Sequence, residues 1–222
     1  SLVIERIERE RAAQDNRAVL LAHKRNYVLP LTYADQPNDD VFEIGSSDFG
    51  EDLDNLEIQF QLSLKAPLAE DLLMEGDVLF FGFTVRSFWQ AYNADASSPF
   101  RDTNYNPEVF YRLAPTNGGH PRWGFDLGYE HQSNGRSRPL SRSWDRLYVA
   151  AYRPTERSLY SLKAWYRIPE DECPIDENGR KEEWCRDDPT TDDNPDITDF
   201  LGHTEFHYRR RLTAAVKPQE MH

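Results

Sequence analysis

The sequence predicts an all-β protein, an antiparallel transmembrane β-barrel with eight recognisable strand-like segments, and three observations carry that expectation. Apolar and polar residues alternate in the segments that matter most. Leu56, Ile58, Phe60, Leu62 and Leu64 are separated by Glu57, Gln59, Gln61 and Ser63, and Trp123, Phe125, Leu127 and Tyr129 by Gly124, Asp126, Gly128 and Glu130, the period of two that a strand imposes. No run approaches the roughly 18 consecutive apolar residues that a spanning helix needs. Finally, the connections between segments alternate in length, and long loops on one rim with short turns on the other are the habit of outer-membrane barrels.

In chain order, the opening SLVIERIERERAAQDNRAVL has no apolar core of an export signal and suits a short amphipathic helix or a flexible arm. Residues 1–25 are therefore assigned to this arm and 26–222 to the barrel domain. Strands are expected at 27–34, 56–66, 76–92, 106–115, 123–133, 145–153, 158–168 and 201–212. The long connections are 35–55, 93–105 and 169–200, with the intermediate 134–144 on the same rim; 67–75, 116–122 and 154–157 are the shorter ones. The strand at Leu56 to Leu64 fits a soluble sandwich as well as a barrel.

Orientation decides between those two. The row beginning at Trp123 continues through His131 and Ser133, and the next strand sets Asp145, Leu147, Val149 and Ala151 against Arg146, Tyr148, Ala150 and Tyr152. A soluble sheet would bury the Trp123 row in its core, His131 and Ser133 with it. A membrane barrel turns the row outward into lipid and leaves Asp126, Glu130 and Gln132 in a polar lumen, which makes chemical sense for a lipid substrate arriving laterally.

Composition narrows the function classes. The chain of 222 residues carries a formal charge of −13, a pI near 4.9 and a mean hydropathy of −0.79. The negative balance argues against nucleic acid, whose phosphates call for Lys and Arg. The 5 Trp, 11 Tyr and 12 Phe suit interfacial girdles or a sandwich core equally. The two cysteines, Cys173 and Cys185, bracket a polar loop. In an exported protein they read as a disulfide, contributing about 3 kcal/mol in the chain-entropy account; two unpaired thiols are the alternative.

The segment YEHQSNGRSRPLSRSWDR, Tyr129 to Arg146, carries the chemistry. It supplies a histidine and a serine on one strand face and a carboxylate on the next strand: a base, a nucleophile and an orienting group within one hairpin. His203 and His207 sit too far apart along a strand for easy chelation. The acidic stretch from Glu170 to Asp196 lacks the D-x-D and Gly pattern of a calcium loop and reads as a solvated loop.

The segment HQSNGRS, then SRSW, then DR, together with SSPFRDTNYNPE at 97–108 and TDDNPDIT at 191–198, resembles the outer membrane phospholipase A family. The likeness runs from about Asn26 to Leu212. The resemblance implies a twelve-stranded barrel in the Gram-negative outer membrane that hydrolyses phospholipid acyl esters as a calcium-dependent homodimer. It assigns Ser133 as nucleophile, His131 as general base and Asp145 as the orienting group, at a position where the family usually has asparagine. An ionised Asp at a lipid-facing rim carries a desolvation cost, so a tight hydrogen bond to His131 is expected. The backbone N–H of Gly135 would serve the oxyanion. Calcium would be held by the Arg136 carbonyl and Ser141 of one protomer and Ser97 of the other, polarising a water for the rest of the oxyanion hole. After Leu212 such a barrel needs four further strands, so the chain is expected to represent it incompletely. The alternative to an enzyme is a porin-like or structural outer-membrane barrel.

Overall fold

A computed structural model describes residues 19–35, 53–94, 98–114, 123–136, 141–155, 157–170, 192 and 194–210. The elements are β1 (Leu21–Ala22), β2 (Tyr27–Tyr33), β3 (Leu56–Glu70), β4 (Val78–Trp89), β5 (Phe100–Leu113), β6 (Gly124–Ser133), β7 (Ser143–Pro154), β8 (Ser158–Ile168), a short helix α1 (Ile197–Leu201) and β9 (Thr204–Arg210). The strands form one antiparallel sheet in which β3 to β8 each pair with the next in sequence, and β1 and β2 both pair with β3. Among the described residues β9 pairs only with β8 and the ladder does not close. The strands from β3 to β8 run 10 to 15 residues, long enough to cross a bilayer, which takes about 9–11 tilted residues.

The sheet curls, and a cluster of charges shows by how much. Between β1 and β2 a bulge of extra residues stands opposite β3, still bonded to Ser63 through the His23 and Lys24 N–H groups, and sends the His23 and Lys24 side chains inward. Lys24 Nζ lies 2.7 Å from Glu108 on β5 and 2.8 Å from Glu130 on β6. In a flat sheet the β1 edge and β6 would be separated by about 19 Å, four strand spacings, so only a strongly curved sheet brings them together. From the other side, Lys163 on β8 and Arg146 on β7 reach Glu130 at 2.6 and 2.8 Å. His23 bonds Glu108 at 2.8 Å and stacks on Phe110. The concave face is thus a packed polar lumen, with a small apolar cluster of Val78, Phe80, Phe110 and Tyr148.

The convex face is apolar, which settles the orientation the sequence left open. Trp123, Phe125, Leu127 and Tyr129 are exposed, as are Leu147 and Val149 opposite them, while Asp126 and Glu130 are buried in the lumen. A soluble sandwich would show the reverse. Glycine contributes through close approach at Gly128: the Tyr148 ring of β7 lies across it, and a Cβ there would sit 2.5 Å from that ring.

Several boundaries differ from the sequence expectation. β5 starts at Phe100 rather than 106, because its polar stretch from Arg101 to Asn104 faces partners in the sheet; Arg101, for example, forks onto the Glu57 carboxylate at 2.8 and 2.7 Å. β3 runs on to Glu70, and the turn expected after it is correspondingly shorter. β7 starts two residues early, at Ser143. The last segment divides: residues up to Leu201 form α1, and β9 starts only at Thr204. The sheet also begins before Asn26, at the Leu21–Ala22 bridge to Leu64 and Lys65 of β3.

Candidate active site

β6 and β7 pair in register from Gly124↔Tyr152 to Ser133↔Ser143, so His131 lies directly opposite Asp145. Directly opposed residues on antiparallel strands have Cβ atoms about 4.5–5.5 Å apart, close enough for an imidazole and a carboxylate to meet without strain. They do: His131 Nδ1 is 2.8 Å from Asp145 Oδ1. A carboxylate only accepts, so Nδ1 is the donor of this bond, and in the neutral imidazole Nε2 is then the acceptor. The tight bond expected for an Asp at this rim is present. Both side chains lie on the convex face, 35% and 26% exposed, in line with the lipid-facing Phe125, Leu127 and Leu147.

Asp145 has a second partner that sequence reasoning gave no role. Tyr129, two residues before His131 on the same face, donates its hydroxyl to the same carboxylate oxygen at 2.6 Å. The signal was visible in the alternation itself, since Tyr129, His131 and Ser133 share one face of one strand. Ser133 is the last residue of β6 and pairs with Tyr105 of β5 and Ser143 of β7. No hydrogen bond joins its hydroxyl to His131 among the described residues; such contacts are often long before substrate binds.

The loop leaving β6 is pinched at its neck by Asn134. Its side-chain oxygen accepts the backbone N–H of Arg136 at 3.3 Å and of Arg142 at 3.0 Å, and its own N–H donates to the Arg142 carbonyl at 3.0 Å. Asn134 therefore acts as a turn former, and it brings Arg136 and Ser141 to one neck. Gly135 takes φ +68, a left-handed conformation that glycine adopts without penalty. The Arg136 guanidinium donates to the Arg101 carbonyl at 2.7 Å, tying the neck to β5, and the Ser141 carbonyl accepts from Arg142 at 2.7 Å.

The segment that follows β8 also reaches this hairpin, which the sequence did not reveal. Asn194, buried, donates from Nδ2 to the Ser143 carbonyl at 3.0 Å. Asp192 holds the Arg167 guanidinium through both oxygens at 2.6 and 2.5 Å and accepts the Asn194 N–H at 2.8 Å. His207 bonds Glu205 at 2.6 Å. Ser97, Cys173 and Cys185 lie outside the described residues, as does most of the acidic loop.

Comparison with known proteins gives a consistent picture. The family model described as Phospholipase A1 matches residues 3–217. The phospholipase A1 of Escherichia coli strain K12 is 35% identical over 208 residues, covering 91% of this chain. The chain spans 63% of that relative's length. Among solved structures, the outer membrane phospholipase A from Escherichia coli superposes with a TM-score of 0.71 at 34% identity, over 89% of this chain and 69% of its own. The Salmonella typhi outer membrane phospholipase, a dimer with bound calcium, superposes at 0.69 with 33% identity, over 88% of this chain and 68% of its own.

Proposed function

The chain belongs to the phospholipase A1 family and shares the outer-membrane β-barrel fold of its solved members, and from that premise we propose that it hydrolyses acyl esters of phospholipids and lysophospholipids at the outer surface of its barrel. Ser133 is the nucleophile, His131 the general base and Asp145 the group that orients it. The observation that carries this reading is the His131–Asp145 hydrogen bond, formed on the lipid-facing side of the sheet with Ser133 two residues further along the same face.

Each residue has a defined task. A serine hydroxyl is a weak nucleophile at neutral pH. With Nδ1 committed to Asp145, the free Nε2 of His131 takes the Ser133 proton as the oxygen attacks the ester carbonyl. The tetrahedral intermediate collapses by breaking the ester C–O bond. The alkoxide leaves with the proton from His131, and the acyl group stays on Ser133. A water then repeats the cycle in reverse: His131 removes its proton, the hydroxide attacks the acyl-serine, and Ser133 departs reprotonated, releasing the fatty acid. Gly135 supports the intermediate through its backbone N–H, a donor of the kind that stabilises developing negative charge.

Calcium fits the donors this chain offers. The Arg136 carbonyl and the Ser141 hydroxyl are hard, neutral oxygens gathered at one loop neck by Asn134. Calcium takes about 6–8 oxygens, so two from one protomer leave places for Ser97 of a second copy and for water. We assign the ion, when bound, the role of a positive charge beside the developing oxyanion. This arrangement supplies a reason for activity to require a homodimer. Cys173 and Cys185 are assigned as a disulfide across the loop between β8 and α1, and the residues ahead of β1 as an arm before the barrel.

Replacing Ser133 by Ala should abolish fatty-acid release from phospholipid micelles while leaving the barrel folded; undiminished release removes the assignment. A sulfonyl fluoride should label Ser133 covalently. A non-enzymatic barrel would leave that serine unreactive.

A further inference from the structure

We infer that Tyr129 is a positioning residue of this site, the hydrogen-bond donor that lets a carboxylate do a job at the lipid boundary. The inference rests on the esterase reading of Ser133 and adds a residue to it.

Asp145 sits on the convex face, where its neighbours offer little to a negative charge. Opposite it on β8 is Ile168, and along its own strand face the next residue is the exposed Leu147. A carboxylate removed from water without hydrogen-bond donors is costly and loses its charge. Two donors meet it here, and both come from β6: His131 Nδ1 at 2.8 Å and the Tyr129 hydroxyl at 2.6 Å, converging on the same oxygen, Oδ1. The His131 bond alone would leave the carboxylate free to swing about Cβ. The second donor, fixed from two residues earlier on the same strand face, pins Oδ1 beneath the imidazole.

The geometry makes this a property of one strand face. Residues 129, 131 and 133 project to the same side at intervals of two, so a single strand supplies the clamp, the base and the nucleophile, while the partner strand supplies the carboxylate they share. Tyr129 touches Asp145 and not the reacting atoms, so its contribution belongs in turnover rather than in substrate binding.

Tyr129→Phe keeps the ring against the lipid and removes only the hydroxyl. Fatty-acid release should then fall about tenfold in kcat with KM unchanged, the effect of losing one hydrogen bond to a charged group. Sulfonyl fluoride labelling of Ser133 should slow in parallel, a reading of nucleophile activation that does not involve phospholipid. In an Asp145→Ala background the same change should have no further effect, because the hydroxyl then has nothing to hold. Parent-like kcat and labelling in Tyr129→Phe overturns the inference, and so does an equal loss in both backgrounds, which is what a purely structural tyrosine would give. Should Tyr129→Phe not fold, a fluorinated tyrosine at 129, whose hydroxyl is ionised at alkaline pH and can no longer donate, reads the same bond by a selective loss of kcat there. A Ser133→Ala variant that still releases fatty acid sinks the esterase reading itself; a dead Ser133→Ala beside a parent-like Tyr129→Phe sinks only the role of the tyrosine.

Discussion

His131 and Asp145 are direct cross-strand partners, joined Nδ1 to Oδ1 at 2.8 Å, and the bond makes a clear distinction between two substitutions. Asp145→Ala removes the acceptor, frees the imidazole to rotate or change tautomer, and should lower kcat by about 10²–10⁴-fold, the usual contribution of a positioned general base. Asp145→Asn keeps an oxygen that can accept the same N–H and should retain much of the activity. Steady-state release of fatty acid from micelles by the two variants checks this; equal losses would mean that the charge, not the acceptor, is what matters.

Glu130 is the anion on which the lumen converges, with Lys24, Arg146 and Lys163 all within 2.8 Å and its side chain only 1% exposed. Glu130→Ala leaves three half-buried cations without their shared anion, Lys24 keeping only Glu108, and should destabilise the barrel by about 3 kcal/mol, the lower end of what removing one partner of a buried ion pair costs. Removing Lys163 in addition relieves part of the repulsion, so the double variant should lose less than the sum of the two single changes. Denaturant unfolding of the four proteins in detergent measures the coupling, and strict additivity would show that the charges act independently.

The features legible in the sequence are those that a period of two can carry. The Trp123 row announced its own face, and once that face is outward the positions of His131, Ser133 and Asp145 follow from counting residues along one hairpin. The lumen was legible as a list of polar residues but not as a network. Lys24 meets Glu130 across 106 residues and His23 meets Glu108 across 85, and no local pattern records such distances. β1 is only two residues long, too short to alternate, and the bulge behind it is visible only through the charges it delivers. The polar start of β5 hid a strand because its partners are scattered over the sheet, Glu57 of β3 for Arg101, Ser87 of β4 for Thr103 and Gln132 of β6 for Asn104, and the Asn194 contact hid because it joins a loop to a strand 51 residues earlier.

The turn between β3 and β4 is organised by Asp77, whose carboxylate accepts the backbone N–H groups of Leu72, Leu73 and Met74 at 2.7, 2.8 and 2.8 Å and the Tyr111 hydroxyl. Burial pushes this carboxyl up, but the Tyr111 hydroxyl and then the backbone donors outweigh it and hold it at about 2, below its ordinary 3.8. A folded-state value below the unfolded one stabilises the protein above the unfolded value, and that contribution is lost as pH falls through the folded value. The stability difference between the parent and Asp77→Asn should therefore be constant above about pH 5, shrink as the pH falls below about 4, and level off below about pH 2. Unfolding midpoints of the two proteins across that range are the measurement, and a difference that grows on acidification would contradict the assignment.

Asn194 completes a strand end that has run out of neighbours. β8 stops at Ile168, opposite Asp145, so the backbone of Ser143 extends beyond the last β8 partner. A carbonyl at a strand end needs a donor, and the Asn194 amide supplies one at 3.0 Å. The Asn194 backbone is itself held through its N–H by Asp192, which is anchored on Arg167. Ser143 pairs with Ser133 and lies two residues before Asp145, so loosening it should disturb the spacing between nucleophile and base by fractions of an ångström, enough to matter for turnover. Asn194→Ala should lower kcat several-fold, and Asn194→Asp further, because a carboxylate presents an acceptor to an acceptor. The order parent, Ala, Asp in phospholipid hydrolysis, with folded protein confirmed by its compact migration before heating, is the expected result. An Asp variant as active as the parent would detach this loop from the chemistry of the hairpin.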